Sequence, residues 1–329
     1  MESLIFALNA VAPIIGMVAI GYFLKKAGFM NATFAKAANK MVFRVFLPAM
    51  LFLNVYKIES IGGIRLGYIG YVVVLLLVVF LAAIPAVMAV TKKKERRGAL
   101  LQAGFRSNYA LIGIPLAQAL FGEEGVMVAS LLSAVSIPLL NILAVISLSM
   151  FRDGDEKVSV RKILRDIVKN PLIQSVLLGV VMLGVRAIFV RYGIEFRLSD
   201  ITPVMKVLTY LSNLSTPLAL LVLGAQFEFS HIKDLRKEIA FGTLMRTLIV
   251  PTLGIGAAYI LFGDRFGAAH FAAFVAVFAT PVSVSSVPMA QEMGADTTLA
   301  GQLVIWTTLF SALSVFAVSF ILKYVGVFY

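Results

Sequence analysis

No cysteine occurs among the 329 residues, which excludes disulfides, thiolate metal sites and cysteine nucleophiles. Histidine appears only as His231 and His270, each near an expected loop and too far apart to suggest a metal motif, so histidine-dependent hydrolysis has no support. Charge is scarce too: 14% of the chain is charged and 17 residues are acidic. The acidic residues fall in expected loops or at the ends of apolar runs, with Glu292 and Asp296 nearest to any candidate site. No buried carboxylate therefore offers a proton relay or a sodium ligand. A glycine-rich loop ending in Gly-Lys-Ser/Thr is also missing, which removes the usual means of hydrolysing ATP. Neither a cofactor nor a metal is expected.

Apolar residues are abundant instead. At 60% hydrophobic and a mean hydropathy of +0.95, the chain has more apolar surface than a soluble fold of this length can hide, so it reads as an integral membrane protein. The first run, Leu4 to Leu24, follows Met1-Glu2-Ser3 without a basic leader and is too long for a signal-peptide core; it is expected to be a retained helix. The net charge of +12 sits in short connections between apolar runs, where membrane orientation explains it, and no nucleic-acid partner is expected.

Runs long enough to span a bilayer fall at about 4–24, 38–56, 66–90, 98–121, 125–150, 171–190, 203–225, 239–262, 268–291 and 297–322. The expected fold is thus all-α and polytopic, with ten transmembrane helices. The longest polar connection, 151–170, separates a first unit of five spans (1–150) from a second (171–329) and is expected to be a cytoplasmic linker. With both termini outside, and residues at span ends counted with the adjacent loop, 18 of the 29 Lys and Arg lie on the cytoplasmic side and 8 outside, as the positive-inside rule prefers. The outside placement of Arg186, Arg191, Arg197 and Lys206 fits less well. Lys92 to Arg97 reads as a topological anchor that also suits anionic lipid. An odd number of spans per unit makes any repeat an inverted one.

One phrase occurs in both units. Gly113-Ile114-Pro115-Leu116-Ala117-Gln118 precedes Gly122, and Ser286-Val287-Pro288-Met289-Ala290-Gln291 precedes Gly294. Pro115 and Pro288 lie in the fourth span of each half, and Pro48 and Pro217 in the second. Proline removes a helix donor and clashes with the preceding turn, so both fourth spans are expected to break at membrane depth, the mark of a transporter's binding site.

Polar residues cluster beside these breaks. Arg106, Ser107, Asn108 and Tyr109 precede Gly113 and Pro115. A guanidinium there, with an amide and freed backbone N–H groups, suits capture of a carboxylate; alternatively Arg106 snorkels to the interface, only nine residues beyond Arg97. In span nine, Thr280 precedes Pro281, and Ser283, Ser285 and Ser286 lie between that proline and Pro288; these hydroxyls either line the site or simply satisfy backbone groups. Asn213 and Thr216 in span seven face the same cavity or serve helix packing. Arg44 and Arg246 read as interfacial anchors.

On these residues the chain resembles the auxin efflux carrier family, which includes plant auxin exporters and bacterial malate and malonate permease-like carriers. The likeness runs from Pro13 to Gly28, through Leu47-Pro48-Ala49-Met50-Leu51 and Arg106 to Pro115, to Ala279-Thr280-Pro281 onward. Tyr109 and Ala110 stand where that family usually has a small residue and Gly. The resemblance implies two inverted five-helix repeats, a scaffold of spans 1, 2, 6 and 7, a moving domain of spans 3–5 and 8–10, and a carboxylate held where spans 4 and 9 cross, with Asn108, Pro115, Pro281 and Pro288 at matching positions. A homodimer through the scaffold is a further expectation. The expected function is elevator-type carriage of an organic carboxylate across the cell membrane. Export needs no acidic relay, because an inside-negative potential of 100 mV supplies about 2.3 kcal/mol per charge. The alternatives are sodium- or proton-coupled uptake of the bile-acid-symporter type, a membrane sensor that binds without turnover, and a membrane-embedded enzyme, which lacks any nucleophile with a base.

Overall fold

The computed structural model describes residues 2–57, 66–151 and 160–328, and every regular element in it is helical. The helices are α1 (Glu2–Lys26), α2 (Ala32–Tyr56), α3 (Leu66–Val90), α4 (Lys94–Phe105), α5 (Tyr109–Met150), α6 (Val160–Lys169), α7 (Pro171–Arg191), α8 (Thr202–Gln226), α9 (Phe229–Phe262), α10 (Ala268–Phe278), α11 (Ser286–Met293) and α12 (Thr297–Tyr324). By length and composition, seven of the described helices are able to cross a membrane: α2, α3, α5, α7, α8, α9 and α12. The polar connection 151–170 is more structured than expected, since it contains α6; its acidic stretch, Asp153 to Lys157, lies outside the described residues.

Burial follows hydropathy. Every residue from Phe271 to Ala279 is fully buried, so α10, apolar on all sides, forms the centre of the bundle and packs along α5. Large apolar side chains such as Val74, Ile260 and Phe320 point outward, as expected where the surroundings are hydrocarbon rather than water. Helix α1 packs on α8, and α2 on both α7 and α8. The α1–α8 contact is close because Gly21 faces the Leu221 carbonyl and Gly224 faces the Val18 carbonyl, leaving no room for a Cβ at either position.

Proline shapes the helices without severing them. Wide, i→i−5 turns occupy Val42–Phe46, Tyr109–Gly113 and Met245–Ile249, ahead of Pro48, Pro115 and Pro251 respectively. A proline ring clashes with the carbonyl four residues earlier and cannot donate to it; an extra residue in the turn relieves both problems. Before Pro251 the freed carbonyl, that of Thr247, accepts the Ser314 hydroxyl.

Helix α5 spans 42 residues and is not a straight rod. Phe121 (φ −148°, ψ 30°) and Gly122 (φ 56°, ψ −146°) leave helical geometry, and Gly125 then lies against the Ala117 carbonyl. Eight residues of straight helix rise about 12 Å, so this contact requires the chain to double back, with Glu123 and Glu124 exposed at the bend. The first arm is the last part of the expected run 98–121, whose beginning is α4, and the second arm corresponds to the run 125–150.

Candidate functional site

The two expected interruptions exist, but one to two turns upstream of the prolines that suggested them. Helix α4 ends at Phe105 and α5 begins at Tyr109, leaving Arg106 to Asn108 extended; α10 ends at Phe278 and α11 begins at Ser286. Pro115 and Pro288 each fall in the early turns of the following helix. For Pro288, the third residue of α11, a missing N–H is harmless because the donors of a first turn have no intrahelical partner anyway; Pro115 lies one turn further in, where the wide turn Tyr109–Gly113 accommodates it. Each short half-helix closes on a glycine with positive φ, Gly122 at 56° and Gly294 at 76°, so the duplicated phrase encodes a start and a stop.

The two gaps meet. Asn108 donates its backbone N–H to the Pro281 carbonyl at 2.8 Å, Ser283 donates to the Arg106 carbonyl at 3.1 Å, and Ser107 and Val282 form an antiparallel bridge. The Val282 N–H is taken up by the Thr307 hydroxyl of α12 at 3.1 Å. Two broken helices thus satisfy their free peptide groups largely through each other, which is what apolar surroundings demand of irregular backbone.

Beside this crossover lies a cavity of about 750 Å³. Arg106, Ser107, Asn108, Tyr109, Pro115, Ser283, Ser285, Asn213 and Thr216 line it. Gly113, Thr280, Pro281, Ser286 and Pro288 do not. Gly113 instead lets α5 approach α10 at the Ala276 carbonyl and makes space for the Tyr109 ring, whose hydroxyl donates to the Ala129 carbonyl at 2.7 Å. The Thr280 hydroxyl returns to the Ala276 carbonyl at 2.8 Å, and Pro281 contributes its carbonyl to the crossover. Residues such as Ile14, Leu51, Leu140 and Leu220 make much of the remaining lining apolar.

Arg106 is the one charged residue among those lining the cavity. It is 2% exposed, which rules out snorkelling. Nη1 donates to Gln102 Oε1 at 2.6 Å, and Nη2 donates to Asn141 Oδ1 at 3.1 Å and Ser285 Oγ at 2.9 Å. All three partners are neutral, and among the described residues no carboxylate pairs with it. The Asn108 amide nitrogen and the Ser107 hydroxyl are buried without a protein partner. A fixed cation and two unpaired polar groups therefore converge on one wall, an arrangement that an anionic head group with several acceptor lone pairs would satisfy.

Arg246 is not an interfacial anchor. It is fully buried, and its Nε and Nη2 donate to the carbonyls of Thr280 at 2.6 Å and Val277 at 2.7 Å. A cation thereby closes the C-terminal end of α10, where helix carbonyls have no partners and the helix dipole is negative. Arg44 does reach the surface, 3.4 Å from Glu292. Arg96, expected as part of a basic anchor, instead sits 2.9 Å from Glu238 and 3.3 Å from Asp296, tying the start of α4 to α9 and the start of α12. Sequence reasoning missed Gln102 and Asn141. Gln102 lies one helical turn before Arg106 and was recognisable by that spacing; Asn141 has no such local signal.

A family profile described as "membrane transport protein" matches residues 6–319. The chain belongs to that family, the auxin efflux carrier family of the sequence resemblance. It is 25% identical over 312 residues to an "uncharacterized transporter" of Methanothermobacter thermautotrophicus, covering 93% of this chain and 95% of the relative. It is also 26% identical over 230 residues to an "uncharacterized transporter" of Methanocaldococcus jannaschii, covering 69% and 70%. The chain is accordingly a multi-pass membrane transporter of this family rather than an enzyme.

Proposed function

We propose that the protein is a secondary carrier of organic carboxylate anions, driven by the membrane potential and working across the cell membrane by elevator-type alternating access. The observation that carries this reading is Arg106, a buried cation without a counter-charge on the wall of an otherwise neutral, largely apolar cavity. A substrate carboxylate supplies the missing negative charge, Asn108 and Ser107 add polar contacts, and the apolar lining receives the carbon skeleton.

Counting α1, both arms of α5 and the α10–α11 pair with the remaining six long helices gives ten passes, five on each side of 151–170. In this reading α1, α2, α7 and α8 form the scaffold, in line with their mutual packing, and the remaining passes carry the crossover as one body. Both termini lie outside.

The test is flux of radiolabelled mono- and dicarboxylates in proteoliposomes under an imposed potential, with and without a sodium or proton gradient. The expected result is accumulation of a monoanion on the positive side, approaching about 50-fold at 100 mV. Asn108→Ala should lower apparent affinity about 5–10-fold for the loss of one neutral hydrogen bond. Indifference of every carboxylate flux to voltage, or an absolute requirement for sodium or a proton gradient, would overturn the proposal.

A further inference from the structure

Beyond the crossover cavity, between one and two turns along α8 from its lining residues Ala219 and Leu220, side-chain amides join three helices. Asn39 of α2, fully buried, donates through Nδ2 to Gln226 Oε1 of α8 at 3.1 Å and to Gln291 Oε1 of α11 at 2.9 Å. Gln226 Nε2 donates to the same Gln291 oxygen at 3.3 Å, and Gln291 Nε2 donates to the Lys36 carbonyl at 3.2 Å. Gln291 belongs to the duplicated phrase; its counterpart Gln118 is exposed and none of these bonds involves it.

Three features separate this cluster from ordinary packing. It joins α11, the continuation of the crossover, to the α2–α8 pair, so it bridges the two bodies that must slide past one another. A second cavity, of about 290 Å³, lies along α11 away from the first; Val287 and Gln291, one helical turn apart, line it together with Gln226, Thr298 and Gln302. Asn39 Oδ1 is buried and has no partner, so the cluster is held by fewer bonds than its groups can make and is poised to rearrange. The ion-paired Lys25 and Glu228 line this second cavity, as does Thr297, whose neighbour Asp296 pairs with Arg96; the cluster therefore lies toward the end that bears the run Lys92 to Arg97, the basic pole.

We propose that the Asn39–Gln226–Gln291 amide cluster is the gate that closes the substrate cavity toward the basic pole, and that the smaller cavity behind it is the vestibule through which substrate passes when the gate parts. This rests on the carrier reading and adds which residues govern the side to which the site opens. Neutral amides are well matched to such a gate, since each bond is weak enough to exchange for water on every cycle, whereas a buried ion pair would resist separation.

Because the chain has no native cysteine, single reporter thiols can be placed cleanly. Ser212→Cys reports on the main cavity, and Lys93→Cys marks the basic pole. Reaction with a membrane-impermeant maleimide is measured from each side of reconstituted vesicles. In the otherwise unaltered chain, Ser212→Cys should react from the side opposite Lys93→Cys. Adding Gln291→Leu or Asn39→Ala should raise its labelling from the basic pole about 10-fold or more and depress it from the other side. In a separate variant, Asn39→Cys with Gln291→Cys, a short reversible bis-methanethiosulfonate tether should stop flux, and a thiol reductant should restore it. Unchanged labelling in both gate variants, with thermal stability preserved, would overturn the gate, as would undiminished flux through the tethered protein. Labelling needs no substrate, so the gate can stand even where every carboxylate fails as cargo.

Discussion

Replacing Arg106 with glutamine separates a substrate-holding cation from a structural one. The guanidinium makes three hydrogen bonds to neutral side chains, all lost or weakened in the variant. Against that loss, the variant removes a buried charge for which the described residues provide no carboxylate, and glutamine keeps an amide group in the polar pocket. These terms oppose each other, so thermal stability in detergent should change by no more than about 1 kcal/mol. Carboxylate binding has no such compensation. A charge-assisted hydrogen bond to a carboxylate contributes about 1.5–3 kcal/mol, so apparent affinity should fall roughly 10- to 150-fold. The assay pairs concentration-dependent uptake in proteoliposomes with ligand-induced thermal shifts on the same preparation. Arg246→Gln is the contrasting case. It strips the Thr280 and Val277 carbonyls of a buried donor and should cost about 3 kcal/mol of stability. If Arg106→Gln keeps parental affinity for every transported carboxylate, or if the two variants exchange these outcomes, the assignment of roles is wrong.

Three further outcomes follow from the geometry. Gly224→Val should disrupt the α1–α8 contact, because a side chain there runs into the Val18 carbonyl, and loss of a monodisperse peak in size-exclusion chromatography is the readout. Gly122→Ala, at φ 56° and ψ −146°, should destabilise the protein by about 1–3 kcal/mol in thermal denaturation even though the position has open space around it. Glu228 is held below the ordinary carboxylate range by the hydrogen bond and charge of Lys25 at 3.1 Å. Its depressed folded-state pKa makes the bridge a contribution present at neutral pH and lost as pH falls through that value. Because both groups are well exposed, Glu228→Gln should flatten the acid limb of a stability–pH profile by less than about 1 kcal/mol.

The helical, membrane-embedded character of the chain is readable from hydropathy alone, because a bilayer tolerates so few backbone solutions. The reversal at Gly122 is readable too, since a glycine between two apolar runs has few other uses. The interruptions are legible in existence but not in position. Proline is the breaker that sequence offers, whereas the backbone opens at Arg106 to Asn108, which contains no proline, because the partner segment at Pro281 to Ser283 offers replacement hydrogen bonds across more than 170 residues of sequence. Local rules do not register such a partner. The same limit hides Asn141 as a ligand of Arg106 and gives Arg246 a surface role: its bonds to the end of α10 arise only once α9 and α10 are side by side.

The joint between the two helix tips is made of peptide groups, Asn108 N–H to Pro281 and Ser283 N–H to Arg106, and owes little to the identity of the side chains that flank it. Mutation can thus change side chains such as those at 107 and 285, and with them the pocket, while the clasp persists. A lineage built on such a hinge of main chain can exchange one cargo for another by small steps, and only a proline at 108 or 283 would undo the fastening itself.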